Sequence, residues 1–159
     1  MRMMNREISI SYEYFEDYQE LNNGEIDLIQ KAYAICEKAY APYSKFKVGT
    51  SLLLSNGEVV LGNNQENIAS PSGLCAERVA LFYANANFDK DLVQTIVVVS
   101  NGDLIDDTAI ITPCGSCRQV ILESEKKQKK SIKIILVARN RSVYVFNSIE
   151  DLLPFAFGV

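Results

Sequence analysis

No histidine occurs anywhere in the 159 residues. That absence excludes Ser-His and Cys-His nucleophilic pairs and any imidazole-rich metal site, so a zinc ion here has to be held by sulfur and oxygen. No stretch approaches the about 18 consecutive apolar residues of a membrane span. Met1 to Glu7 carries basic residues but no apolar run follows them, so secretion is not expected and a cytoplasmic location is. An excess of basic residues is missing too. Sixteen Lys and Arg against twenty Asp and Glu leave a net charge of -4, the wrong sign for a chain whose main partner is a phosphate backbone. The expected partner is therefore a free small molecule, with neither nucleic acid nor a membrane. No internal repeat or linker divides the chain, and its length suits one domain able to bury about 70% of its unfolded surface.

What is present fits an ordinary globular protein, with 48% hydrophobic and 23% charged residues. Arg6 to Phe15 alternates apolar and polar positions through Ile8, Ile10, Tyr12 and Tyr14, which predicts an edge strand ahead of the main domain. Residues 1–24 are thus expected to be an extension, an edge strand and connection, and 25–159 the domain itself. From Glu25, Ile26, Ile29, Tyr33, Cys36 and Tyr40 fall at helical spacing until Pro42. Lys47 to Leu54 and Glu58 to Gly62 flank Asn56-Gly57, a hairpin signal. A helix after Cys75 is expected to turn Val79, Phe82, Tyr83 and Ala86 inward. Leu92 to Ser100 holds Ile96-Val97-Val98-Val99, a strand buried on both faces. A loop from Asn101 to Thr112 leads to a second helix near Cys114, with Val120 and Ile121 inward and a solvated basic end at Lys126, Lys127, Lys129 and Lys130. Ile132 to Ala138 and Ser142 to Phe146 are joined by three residues, too few for a parallel crossover, so that pair must be antiparallel. Ser148 caps a short final helix. The expected fold is α/β, a mixed five-stranded sheet with helices on its faces and an extra N-terminal strand.

The chemistry gathers at Pro71-Ser-Gly-Leu-Cys-Ala-Glu-Arg78 and Pro113-Cys-Gly-Ser-Cys-Arg-Gln119. Thiols stay reduced in a chain without export signals, which favours metal binding or thiol chemistry over disulfides. Cys36, on a helical stripe, reads as a small core residue. Cys114 and Cys117 sit three apart at a helix start and can grip one ion, although C-x-x-C alone is equally a redox dithiol. Cys75, at another helix start, tips the balance toward metal. Three thiolates leave the fourth position of a tetrahedral zinc open. Such a cluster carries a charge of about -1, and Arg78 is placed to offset it by donating to thiolate sulfur. Glu77, two residues from Cys75, points away from the ligand direction and suits general acid/base work beside the metal.

The pairing of C-A-E-R with P-C-G-S-C-R-Q, preceded by Y-S-K-F-K-V-G and N-Q-E-N, resembles the homotetrameric cytidine deaminases whose zinc ligands are all cysteines, over about Glu25 to Gly158. The three-cysteine deaminase pattern is a known one. The resemblance implies a single-domain three-layer α/β/α cytidine-deaminase-like fold, with one Zn2+ per chain on Cys75, Cys114 and Cys117. It implies that Glu77 shuttles protons while activated water adds to C4 of cytosine and ammonia leaves, turning cytidine and deoxycytidine into their uridine counterparts in pyrimidine salvage. It also implies substrate contacts from Phe46, Asn64, Glu66 and Ala76, and from Phe157 reaching a neighbour's pocket in a homotetramer with active sites near subunit interfaces. The chain departs from the pattern at Ser70, where many relatives have an aromatic residue. The alternatives are a deaminase of another aminopyrimidine compound or of a nucleic-acid base, and a noncatalytic zinc-stabilised binding protein with Cys36 as fourth ligand. A thiol oxidoreductase is a further option, one that leaves Cys75 and Glu77 without a role.

Overall fold

The computed structural model describes residues 3–158. One mixed sheet runs in the order β1-β6-β5-β4-β2-β3, from β1 (Glu13–Phe15), β2 (Lys47–Leu54), β3 (Val59–Asn63), β4 (Val93–Asn101), β5 (Lys133–Val137) and β6 (Val143–Phe146). The sheet therefore has six strands, not five, because β1 pairs antiparallel with β6 and joins the sheet. That strand is shorter than the Arg6 to Phe15 alternation suggests. Residues 3–12 form no regular structure, since β6 spans only four residues and offers no ladder beyond them.

Helix α1 (Asn23–Cys36) covers one face of the sheet, and α2 (Ala76–Asn87) and α3 (Gly115–Gln128) cover the other. This is the three-layer α/β/α arrangement. β4 is parallel to β5, which the α3 crossover permits, while β5 and β6 are antiparallel as their short connection requires. Ile96, Val97, Val98 and Val99 are all buried. Alternation sends Ile96 and Val98 toward α2 and α3, and Val97 and Val99 toward α1. Each such side chain contributes about 1.5 to 3 kcal/mol relative to exposure, which makes β4 the spine of both cores. The β2–β3 hairpin turns through Gly57 at φ 87°.

Two helix faces differ from expectation. α1 starts earlier, with Asn22 capping the Glu25 N–H at 3.0 Å, and ends at Cys36. Its buried face is Leu28, Ile29, Ala32 and Cys36, and Tyr40 lies beyond it, where it bridges Gln65. On α2 the inward residues are Ala76, Glu77, Ala80, Leu81 and Ala84, whereas Phe82 and Tyr83 are 46% and 56% exposed. The reason is close approach. A Cβ at Gly62 of β3 would lie 2.5 Å from the Ala76 carbonyl oxygen and 2.7 Å from the Ala80 nitrogen, so the helix can only present small side chains there.

A buried carboxylate closes the C-terminal end. Glu125 of α3 accepts from the Ile132 N–H at 2.8 Å, the Ile149 N–H at 3.1 Å and the Ser148 hydroxyl at 2.9 Å. Sequence periodicity alone gives no sign of that staple.

Candidate active site and metal centre

Both cysteine motifs lie at helix starts. Cys75 is the N-cap of α2 and Cys114 the N-cap of α3, each with extended backbone, and Cys117 sits in the first turn of α3. The two helices thus aim the partial positive charge of their N-termini at the thiols. Cys114 Sγ is 3.8 Å from Cys75 Sγ and 3.5 Å from Cys117 Sγ, and all three sulfurs lie within 4.8 Å of one another. Tetrahedral coordination at a Zn–S distance of about 2.3 Å calls for sulfurs about 3.8 Å apart. The three thiols fit zinc. Among the described residues no fourth ligand joins this group, and Cys36 packs in the α1-side core on the opposite face of the sheet.

Hydrogen bonding among the thiols shifts their ionisation. Bonds from Cys117, then from Arg78 and Cys114, hold the Cys75 thiol down at about 5 against its burial. Cys117, bonded to Cys75 and buried, is pushed up. The Arg78 guanidinium reaches Cys75 Sγ at 3.8 Å.

Glu77 stands outside the thiol group yet lines the same cavity, only 4% exposed. Burial, with the negative Cys75 beside it, pushes its carboxyl up to about 7. A carboxyl poised there can both take and return a proton near neutral pH.

The cavity above this floor measures about 660 Å³. Phe46, Asn64 and Glu66 line it together with Cys75, Glu77, Arg78 and Cys114. Asn64 is fixed by β2, accepting from the Val48 N–H at 2.8 Å and donating to the Phe46 carbonyl at 2.9 Å. Glu66 accepts from the Ser44 hydroxyl at 2.5 Å and the Tyr43 N–H at 2.9 Å, and Ser44 foremost holds its carboxyl below the usual range. Ala76 is fully buried between Cys75 and Glu77 and does not line the cavity. Nor does Phe157, whose side chain is 86% exposed while its carbonyl accepts from Gln119 at 2.9 Å. Sequence reasoning missed Ser44, Leu104, Ile111 and Thr112. For Ser44 the signal was a hydroxyl in the turn after Pro42; for the others it was the length of the loop before Cys114.

A three-layer α/β/α sheet with three thiols grouped at two helix starts, beside a buried unligated carboxylate, defines the zinc-hydrolase class of site. The family described as "Cytidine and deoxycytidylate deaminase zinc-binding region" matches residues 23–132, and the chain belongs to that family. A cytidine deaminase of Halalkalibacterium halodurans is 36% identical over 138 residues, covering 82% of this chain and 91% of that protein. One of Mycobacterium tuberculosis is 35% identical over 121 residues, covering 76% and 80%. Among solved structures, a cytidine deaminase from Burkholderia pseudomallei superposes with a TM-score of 0.70 at 38% identity, over 86% of this chain and all of the other. The Mycobacterium tuberculosis structure gives 0.63 at 31% identity, over 84% and 97%. The thiol cluster and the family together make zinc the cofactor.

Proposed function

We propose that this protein is a zinc-dependent deaminase of free cytidine and deoxycytidine, producing uridine and deoxyuridine plus ammonia in pyrimidine salvage. One observation carries the reading: a cluster of three thiols, two of them lining the cavity, and one buried, unligated carboxylate meet at the floor of a cavity large enough for a nucleoside. Cys75, Cys114 and Cys117 would hold the zinc, with Arg78 offsetting thiolate charge through its bond to Cys75. When bound, the metal supplies Lewis acidity and lowers the pKa of water at its open position.

The protons then belong to Glu77. Water forms a bond from oxygen to C4 of the base, and Glu77 takes one water proton and gives it to N3. A second proton passes from the new hydroxyl through Glu77 to the exocyclic nitrogen. The C4–N bond breaks, ammonia leaves, and N3–H with a C4 carbonyl remains, so the balance is water in and ammonia out. Phe46 packs on the base and the fixed Asn64 and Glu66 bind sugar hydroxyls. The buried Ala76 serves through its backbone, between ligand and shuttle.

The charge of the lining favours nucleosides over nucleotides. Among the described lining residues Arg78 is the single cation, committed to Cys75, while Glu66 and Glu77 are both acidic. A phosphate would face carboxylates without a compensating fork of donors. Cytidine is expected to exceed its 5′-monophosphate in kcat/KM by at least about a hundredfold, and equal values would overturn that preference. The closed structural alternative lacks support, because Cys36 lies across the sheet from the thiols.

A homotetramer is part of the same proposal. Phe155 and Phe157 in the tail, and Phe82 and Tyr83 on the outer face of α2, are exposed aromatics suited to a second copy. Phe157 would then complete a neighbour's cavity. Residues 25–159 hold every group assigned here, and 1–24 is an accessory extension whose Glu13–Phe15 strand covers the β6 edge. Among the described residues no helix is long and apolar enough to cross a membrane, and a reducing cytoplasm suits free thiols.

A further inference from the structure

Residues 102–114, between β4 and α3, contain no helix or strand, yet they carry Leu104, Ile111 and Thr112 into the cavity lining. Loops of that length in compact domains are uncommon and usually functional. Arg139, in the turn joining β5 and β6 and itself outside the cavity, gathers this one. Its Nη1 donates to the Gly102 carbonyl at 2.8 Å and lies 3.4 Å from Asp107 Oδ1, and its Nη2 lies 3.2 Å from Asp103 Oδ1. The neighbouring Asn140 N–H adds a bond to the Asp107 carbonyl at 2.9 Å. A planar guanidinium can serve a carbonyl and two carboxylates at once, which a single ammonium cannot.

The anchored residue touches the site directly. Gly102 has φ 134°, and a Cβ there would lie 2.8 Å from the Lys45 carbonyl oxygen and 3.2 Å from the Phe46 ring. The Gly102 backbone is therefore packed closely against Lys45 and Phe46. Asn64 donates to the Phe46 carbonyl at 2.9 Å.

We infer that Arg139 is a positioning residue of the nucleoside cavity, holding the 102–114 loop so that its apolar wall and the Phe46 ring are preformed for the base. The inference rests on the nucleoside reading above. Preformed walls lower the ordering cost of binding and leave the proton transfers untouched, so the effect falls on KM.

The test is steady-state kinetics on cytidine with the zinc-loaded full chain. R139Q is expected to raise KM about tenfold, the loss of a charge-assisted bond. Its kcat should change less than about threefold, with zinc per chain unaltered. R139K, keeping one charged donor, recovers part of the KM. D103N/D107N removes the two carboxylates at exposed loop positions and is expected to raise KM about threefold. An R139Q variant with the parent KM overturns the inference. If R139Q does not fold, a parent KM in D103N/D107N does the same. Should the parent turn over no cytidine, the proposed function fails on its own. Amide exchange across 103–112 then decides the loop's tether: faster in R139Q supports it, unchanged overturns it.

Discussion

Glu77 and Cys36 show how position sets the chemistry of one side chain. Glu77 is buried beside Cys75, and its carboxyl rises to about 7. Glu77→Gln keeps the shape and the thiols but cannot carry a proton, so it should retain zinc and lose about 10²- to 10⁴-fold in turnover. Metal content and ammonia release on the same sample check this, and parent-like turnover would remove Glu77 as the shuttle. Cys36 has the opposite fate. Burial pushes its thiol from the ordinary 9.0 up to about 11. Between these values the folded state keeps a proton that the unfolded state releases, so this contribution is whole below pH 9 and lost as pH rises toward 11. The urea midpoint should fall across that window, and less steeply in Cys36→Ala. Equal slopes would contradict the assignment. Cys36 was legible from its helical stripe and the Cys114–Cys117 pair from its three-residue spacing, because each rests on short-range geometry. Cys75, 39 residues from Cys114, was marked only by its own helix start. The hydroxyl of Ser44 that holds Glu66 was not legible, since 22 residues separate the pair.

At the scale of elements, α2 begins at Cys75, a proposed ligand, and carries Glu77, the proposed proton shuttle, so its seat on the sheet fixes both. Gly62→Ala would push a methyl into the Ala76 carbonyl and Ala80, costing about 1 to 3 kcal/mol by overpacking. Zinc per chain should fall with stability, because the displaced element is the one that begins at Cys75. Denaturant unfolding and metal analysis report both, and a variant with parent stability would contradict the close-approach argument. This contact also explains why the inward face of α2 could not be read from the chain. Apolar periodicity selects the large residues Val79, Phe82 and Tyr83, whereas the close approach at Gly62 seats Ala76 and Ala80 against the sheet and turns Phe82 and Tyr83 outward. Strand content read more reliably. The Val-rich run of β4 needs two covered faces, and the three-residue connection between β5 and β6 forces antiparallel pairing whatever surrounds it.

The whole molecule combines an acidic, small-molecule cavity with aromatic groups that its own core does not use. The proposed tetramer predicts a particle four times the 17.8 kDa chain by sedimentation. Phe157→Ala should lower turnover while leaving zinc in place, and a fully active monomer would contradict the shared-site reading. The extension was legible as a strand but not in its length, which the four residues of β6 limit. The account stands or falls on zinc-dependent nucleoside hydrolysis, and the most direct measurement is ammonia released from cytidine together with zinc bound per chain. The expected result is about one zinc per chain and turnover that disappears on chelation and returns with added zinc. Zinc near zero, or full zinc with no turnover of cytidine or deoxycytidine, would contradict it.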